Sequence, residues 1–266
     1  MAATIEIREE PPILRIRLNR PERRNAFDER MIAELTEAFV SVAAAPRTRV
    51  VSLEGEGEFF CAGADLEWMR RAAQFTRREN LDDARRLAAM FVSVASCPAP
   101  IVARIRGGAL GGGMGLVAVA DIAVAARDAF FGFTEVRLGI IPVVISPFVL
   151  KKLRPADAQR YFLTGERFTA EEALRVGLIA SVADPEGLDA MAERLISELL
   201  SGAPTAQREA KQLLQALHPF PPDIHERTAD WIARMRESDE AREGVNAFLE
   251  RRRPRWSRIA GEGANE

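Results

Sequence analysis

Apolar residues along this chain recur with a period of two, then with a period near 3.6, and the two patterns alternate several times. The run Ile13-Leu14-Arg15-Ile16-Arg17-Leu18 alternates at its end and stops at Asn19-Arg20-Pro21, which predicts a strand entering a basic turn. Met31, Leu35, Ala38, Phe39 and Val42 fall at helical spacing, so a helix is predicted over residues 31–43 with Asp28 as its N-cap. A strand over 49–53 follows, closed by the glycine-containing turn 54–57. The signals then recur: a helix within 81–96, a break at Cys97-Pro98-Ala99-Pro100, a strand over 101–105, a glycine-rich segment at 107–113, an apolar helix to about Val119 and a short strand over 122–125. Strands alternating with helices predict an α/β layer architecture. Beyond Ala156 the strand signals fade, and helices are predicted at 158–163, 170–176, 188–200, 205–217, 224–236 and 240–252. Gly202 and Pro204 interrupt the helical periodicity, which places a boundary between a core at 1–200 and a helical C-terminal module at 201–266.

Composition narrows the class. A chain of 266 residues with 47% hydrophobic and 29% charged residues buries a substantial core without disulfides or metal. Its most apolar stretch, 107–126, is broken by Asp121 and glycines, so it reads as buried core rather than a membrane span. The net charge of -2 supplies no overall attraction for nucleic acid or anionic lipid, so an anionic ligand must be held by a local cluster. One such candidate is the basic run Glu250-Arg251-Arg252-Arg253-Pro254-Arg255-Trp256, which reads either as a solvated helix end or as a phosphate contact. With two cysteines and no basic-then-apolar leader at the N-terminus, a reducing, cytoplasmic setting is expected. No metal-ligand spacing is present, and His218 and His225 both fall in the helical tail, far from the glycine-rich segments.

Three segments carry candidate chemistry. Phe60-Cys61-Ala62-Gly63-Ala64-Asp65 puts small residues where a loop meets a predicted helix, a place for unpaired backbone N–H groups as well as for an ordinary tight turn. Cys61 within it is a candidate nucleophile or simply a small buried residue. Gly107-Gly108-Ala109-Leu110-Gly111-Gly112-Gly113 lets a ligand approach the backbone closely. It lacks both the Lys-Ser/Thr of a phosphate loop and the spacing of a dinucleotide motif. Two separated amide-donor loops suit the oxygen of a thioester that becomes enolate-like. The third is Glu135 inside the otherwise apolar stretch 131–142. Burial raises a carboxyl pKa toward the range of a general acid/base, and the competing reading pairs Glu135 with Arg137 on the surface.

Leu18-Asn19-Arg20-Pro21 with Asn25-Ala26, then residues 60–65, 107–113 and 134–142, in this order, resemble the crotonase (enoyl-CoA hydratase/isomerase) superfamily from about residue 13 to 256. The resemblance implies a ββα spiral core with a helical C-terminal trimerisation module, assembled as a homotrimer or dimer of trimers. It also implies an acyl-CoA substrate, with coenzyme A part of that substrate and no separate cofactor. Carried over by motif position, the backbone N–H groups of Ala64 and Gly112 are the oxyanion donors and Glu135 the acid/base. Coenzyme A follows the turn and loop containing Arg23, Arg24, Ala26, Ala62, Asp65 and Leu66, with Arg251 of a neighbouring subunit near the phosphates.

The sequence also departs from the family's hydratases, which carry two glutamates. The first position is Gly115 here, and Glu67 is a candidate replacement. Isomerases of the family manage with one glutamate at the second position, moving one proton between C2 and C4. Residues 134–142 with Ile145-Ser146-Pro147 are similar to a bacterial branch assigned to branched glutaconyl-CoA hydration, the methylglutaconyl-CoA hydratase-like members. Val143-Val144-Ile145 implies an altered acyl pocket, and Arg137 is a candidate partner for a distal carboxylate or a solvent-facing residue. The expected activity is therefore 2-enoyl-CoA hydration or dehydration, with isomerisation second. A noncatalytic RNA-binding relative comes third, opposed by the absence of net positive charge.

Overall fold

The computed structural model describes residues 3–44 and 47–257. Strands β1 (Ile5–Glu10) and β2 (Ile13–Leu18) form an antiparallel hairpin with Ile7 opposite Ile16. Helix α1 (Glu29–Ala44) leads to β3 (Val50–Gly55), then α2 (Leu66–Ala72), α3 (Arg77–Ala95) and β4 (Ile101–Ile105). The short strand β5 (Gly108–Leu110) runs into α4 (Gly112–Val119), followed by β6 (Ile122–Ala126) and β7 (Phe130–Gly132). A single 3-10 turn at Glu135–Leu138 precedes α5 (Ser146–Val149), α6 (Pro155–Thr164), β8 (Arg167–Thr169), α7 (Ala170–Arg175) and β9 (Ser181–Ala183). Four helices follow among the described residues, α8 (Leu188–Ser201), α9 (Pro204–Leu217), α10 (Ile224–Arg236) and α11 (Asp239–Leu249), before a 3-10 turn at Arg255–Ser257.

Among the described residues the strands make two sheets. Six lie in the order β1-β2-β3-β4-β6-β9, parallel from β2 onward, and three in the order β5-β7-β8. Both faces of the larger sheet are covered, as a parallel sheet requires. On one face Ile16, Leu18, Leu53, Ala103 and Ile105 join the main core with α1 and α3. On the other, Val50, Val102 and Val124 pack beneath Leu188, Ala192 and Ile196 of α8. The alternation visible in β2, whose buried residues are Leu14, Ile16 and Leu18, is this division between faces.

Several elements differ from the sequence expectation. β1 was not anticipated because four of its six residues are polar or exposed toward its C-terminal end. β5, β7, β8 and β9 are three residues each, too short for a period of two to register. The glycine segment 107–113 is consequently not a continuous loop of free amides. Leu110 N–H donates to Cys61 O and Gly111 N–H to Gly132 O. The last helix ends at Leu249 rather than at 252, since Arg251 takes a left-handed φ of 55°. The C-terminal helices also touch their own chain: α10 lies along α3, with Ala229 and Ile232 in the main core, and α11 packs on the Glu135 turn.

Candidate active site

The first loop is clasped by a buried asparagine. Asn25, fully buried with φ 54°, accepts from Arg20 N–H (2.9 Å) and donates to Glu56 O (2.9 Å) and Phe59 O (2.7 Å). Asparagine tolerates the left-handed region better than most side chains, and here it ties the turn 19–27 to the start of segment 60–65. Arg20 reinforces the tie by reaching Ala26 O (2.6 Å) and Asp65 (3.0 Å).

Segment 60–65 then runs between Phe27 and β5. Phe27 N–H donates to Gly63 O (2.7 Å) and Asp65 N–H to Phe27 O (2.8 Å), a parallel bridge centred on Ala64. Because successive backbone groups of an extended chain point to opposite sides, the Ala64 N–H faces away from Phe27. It has no hydrogen-bond partner among the described residues. A second bridge, Cys61 with Ala109, draws the glycine segment alongside. Gly111, at φ 50°, turns the chain into α4. The first amides of that helix, Gly112 and Gly113, have no carbonyl one turn back within the helix to bond. The two loops touch: a Cβ on Gly63 would stand 3.2 Å from Gly112 N, and one on Gly112 would meet the Phe27 ring at 2.9 Å. Glycine at these positions is a steric requirement of the approach.

Glu135 borders the same loop. A Cβ on Gly111 would stand 3.5 Å from Glu135 Oε1. Its other oxygen, Oε2, is buried without a hydrogen-bond partner. Burial raises the carboxyl from its ordinary 4.5 to about 7, opposed only by the residue's own backbone N–H. The turn that holds it is fixed on both flanks. Phe131 and Phe133 are fully buried before it. Behind it α11 fits so closely that a Cβ on Gly139 would strike Glu240 O at 2.3 Å, and one on Gly244 the Leu138 carbonyl carbon at 2.4 Å. The surface pairing with Arg137 does not occur. Arg137 is exposed and lies against Gly165, its Cγ 3.2 Å and its Nε 3.3 Å from a Cβ built there.

Gly115 cannot simply regain a carboxylate, because a Cβ there would stand 2.5 Å from Ile145 Cγ2 and 2.6 Å from Phe91 Cε1. Those two side chains fill the space. Glu67 does not replace it: the side chain is exposed and paired with Arg23 at 3.3 Å. Asp65 is likewise occupied, capping α2 through Glu67 N–H (2.8 Å) and Trp68 N–H (3.2 Å). Cys61 is fully buried with its thiol pushed up to about 12 by desolvation, which fits packing rather than nucleophilic attack. His225 is stacked on Phe148 and meets Phe220 edge-on, and no His–carboxylate–nucleophile set forms around it among the described residues.

Of the residues expected along coenzyme A, Arg23, Arg24, Ala26, Ala62, Asp65 and Leu66 are brought together. Ala62 N–H donates to Arg24 O (3.0 Å), Arg24 lies over the Phe59 ring at 5.0 Å, and Leu66 is exposed beside them. Arg251 stands apart, exposed after α11 and without a hydrogen bond or ion pair to that turn. A pocket opens from Ala64 between α2 and the α10–α11 pair. Its walls are Ala64, Trp68, Met69 and Ile140, and both its charged residues are arginines, Arg236 and Arg242. Sequence reasoning missed Arg236 entirely. Among the described residues no helix is long and apolar enough to cross a membrane, and no cluster of His, Cys, Asp and Glu is placed to hold a metal.

A spiral α/β layer fold in which two glycine-bearing loops meet beside a buried carboxylate is the architecture of the crotonase superfamily. The chain belongs to its enoyl-CoA hydratase/isomerase family, whose model matches residues 8–259. It is 33% identical to the carnitinyl-CoA dehydratase of Salmonella typhi over 96% of this chain and 99% of the relative. It is 32% identical to the (E)-benzylidenesuccinyl-CoA hydratase of Thauera aromatica over 96% of this chain and 98% of the relative. The crystal structure of an enoyl-CoA hydratase from Mycobacterium avium superposes with a TM-score of 0.84 at 36% identity, covering 97% of this chain and all of the other.

Proposed function

We propose that the protein adds water to, or removes it from, a 2-enoyl-CoA thioester, with Glu135 as its acid/base and Ala64 N–H and Gly112 N–H as donors to the thioester oxygen. The observation that carries this reading is the Glu135 carboxyl, with Oε2 buried and unpartnered and its pKa raised to about 7 by desolvation, beside the Gly111–Gly112 loop. In the hydration direction, Glu135 takes a proton from water as the water oxygen bonds C3. The C2=C3 electrons move into an enolate held by the two amides, and Glu135 returns the proton to C2. Dehydration reverses these steps. A pKa near the working pH suits both halves of such a transfer, and removing one oxyanion donor typically costs about a hundredfold or more in rate.

Coenzyme A is then part of the substrate, passing Arg23, Arg24, Ala26, Ala62, Asp65 and Leu66. We read the exposed Leu213, Leu214 and Leu217 of α9 as covered by a neighbouring copy in a trimer or dimer of trimers, whose Arg251 would approach the phosphates. The relatives named for carnitinyl-CoA and (E)-benzylidenesuccinyl-CoA, with the segment 134–147, support a branched or polar acyl group, a branched glutaconyl ester among them.

Double-bond isomerisation is the second reading, favoured by Phe91 and Ile145 in the place of a second carboxylate. Incubation with crotonyl-CoA, 3-methylglutaconyl-CoA and a 3-enoyl-CoA, with product masses read beside those of Glu135→Gln, separates the two. Gain of water lost in the variant supports hydration. An isobaric product supports isomerisation, and no turnover on any ester refutes both.

A further inference from the structure

The pocket that starts at Ala64 ends in two arginines, one of which has N–H donors left over from its ion pair. Arg236, at the C-terminal end of α10, keeps its side chain 15% exposed and spends one nitrogen on Asp83, Nη1 to Oδ2 at 2.7 Å. Asp83 is 1% exposed and is saturated from three directions, since Trp68 Nε1 (3.2 Å) and Arg86 (3.3 Å) also donate to it. The Arg236 guanidinium sits 5.5 Å from the centre of the Trp68 ring, the pocket's largest wall. Arginine presents five N–H donors in a fixed plane. Asp83 holds that plane against the pocket, and Nε and Nη2 have no hydrogen-bond partner among the described residues. Arg242 joins the same end from α11, paired only with the fully exposed Asp239 at 3.2 Å. No carboxylate lines the pocket, whose other walls are apolar.

Resting on the acyl-CoA reading above, we propose that Arg236, assisted by Arg242, forms an anion-binding end to the acyl pocket and selects enoyl-CoA esters whose acyl group ends in a carboxylate. The far oxygens would take the free face of a planar fork that Asp83 has already oriented, so little side-chain freedom is lost on binding. An acyl chain ending in methyl would leave those donors facing apolar atoms. Arg137, the sequence's candidate for this role, faces α6 instead.

The test compares kcat/KM for glutaconyl-CoA and longer 2-enoyl-CoA esters ending in a carboxylate with those for size-matched esters ending in methyl. The wild type should prefer the carboxylate series. In the paired variant Asp83→Asn/Arg236→Gln, which leaves no buried charge unmatched, that preference should fall by about ten- to a hundredfold, the worth of a charged hydrogen bond. Methyl-ended turnover, the reference for that comparison, should fall by a smaller factor than carboxylate-ended turnover, and Arg236→Lys should recover part of the lost preference. Arg242→Gln, a substitution at an exposed position, should reduce the preference by a smaller factor. A wild type indifferent to the terminal charge, or a preference that survives the paired variant, overturns the proposal while leaving the acyl-CoA reading intact. Absence of turnover on both series would bring down that reading and this one with it.

Discussion

Removing the charge of Glu135 should abolish turnover and, above neutral pH, make the protein more stable. The carboxyl is raised from 4.5 to about 7 by burial, and each pH unit of displacement corresponds to about 1.36 kcal/mol, so the ionised form costs the fold about 3 kcal/mol. The sign follows from linkage. Below about pH 4.5 the group is protonated in folded and unfolded chains alike, and no penalty exists. Between 4.5 and about 7 the unfolded chain loses its proton while the folded one keeps it, so stability falls as pH rises, and above 7 the full penalty persists. Glu135→Gln has nothing to titrate. Its stability advantage should therefore grow by about 3 kcal/mol between pH 4.5 and pH 8, read by denaturant unfolding at matched protein concentration so that any assembly equilibrium is held constant. An advantage that does not change with pH would mean that the carboxylate is solvated or paired in the folded protein, and the acid/base role would lose its physical basis.

Three further outcomes follow from the packing around the site. Gly115→Glu, which restores the residue of two-glutamate hydratases, should destabilise by about 1–3 kcal/mol or more through overpacking against Phe91 and Ile145, and its melting temperature should drop without any gain in hydration rate. Asn25→Ala leaves one N–H and two carbonyls without their partner; at about 1 kcal/mol each, a loss of about 3 kcal/mol is expected in the same unfolding assay. Cys61, buried with its thiol at about 12, should resist thiol-labelling reagents in the native protein and react only after unfolding. Rapid native labelling accompanied by inactivation would return it to the list of candidate nucleophiles.

The parts of the fold legible in the sequence are those whose own residues carry a complete signal. β2, β4 and α10 fall at the residues that periodicity assigns to them, since each contains enough turns or alternations to register. The three-residue strands of the second sheet do not, although they bring Gly111 beside Glu135. Their pairing is a property of neighbours distant in the chain: β5 exists because Cys61 and Phe130 lie on either side of it. Glu135 could be singled out because a carboxylate stands alone in an apolar stretch. Arg236 could not. It lies in an ordinary amphipathic helix among other arginines, and its position in the pocket beside Ala64 depends on α10 and α11 folding back over α2. For Arg137 the sequence leaves open a distal-carboxylate partner, a Glu135 pair or a solvent-facing side chain, and the side chain is exposed, since proximity in sequence to Glu135 says nothing about which way a 3-10 turn aims the next side chains.

A carboxylate can be brought near neutrality by a like charge beside it or by loss of water, and the two leave different signatures. In this site desolvation is the cause and no neighbouring charge contributes to raising Glu135. The place where a second carboxylate would stand holds Phe91 and Ile145 against Gly115. A shift produced by charge repulsion is screened by added salt, whereas one produced by burial is not, since ions do not enter the apolar surroundings. The kcat/KM profile should therefore rise with pH along a limb near 7, and that limb should hold its position between low and high ionic strength even as salt weakens coenzyme A binding overall. A limb that moves down toward the ordinary glutamate range as salt is added would reveal a second carboxylate acting on Glu135. The single-glutamate mechanism would then have to yield to a two-carboxylate one.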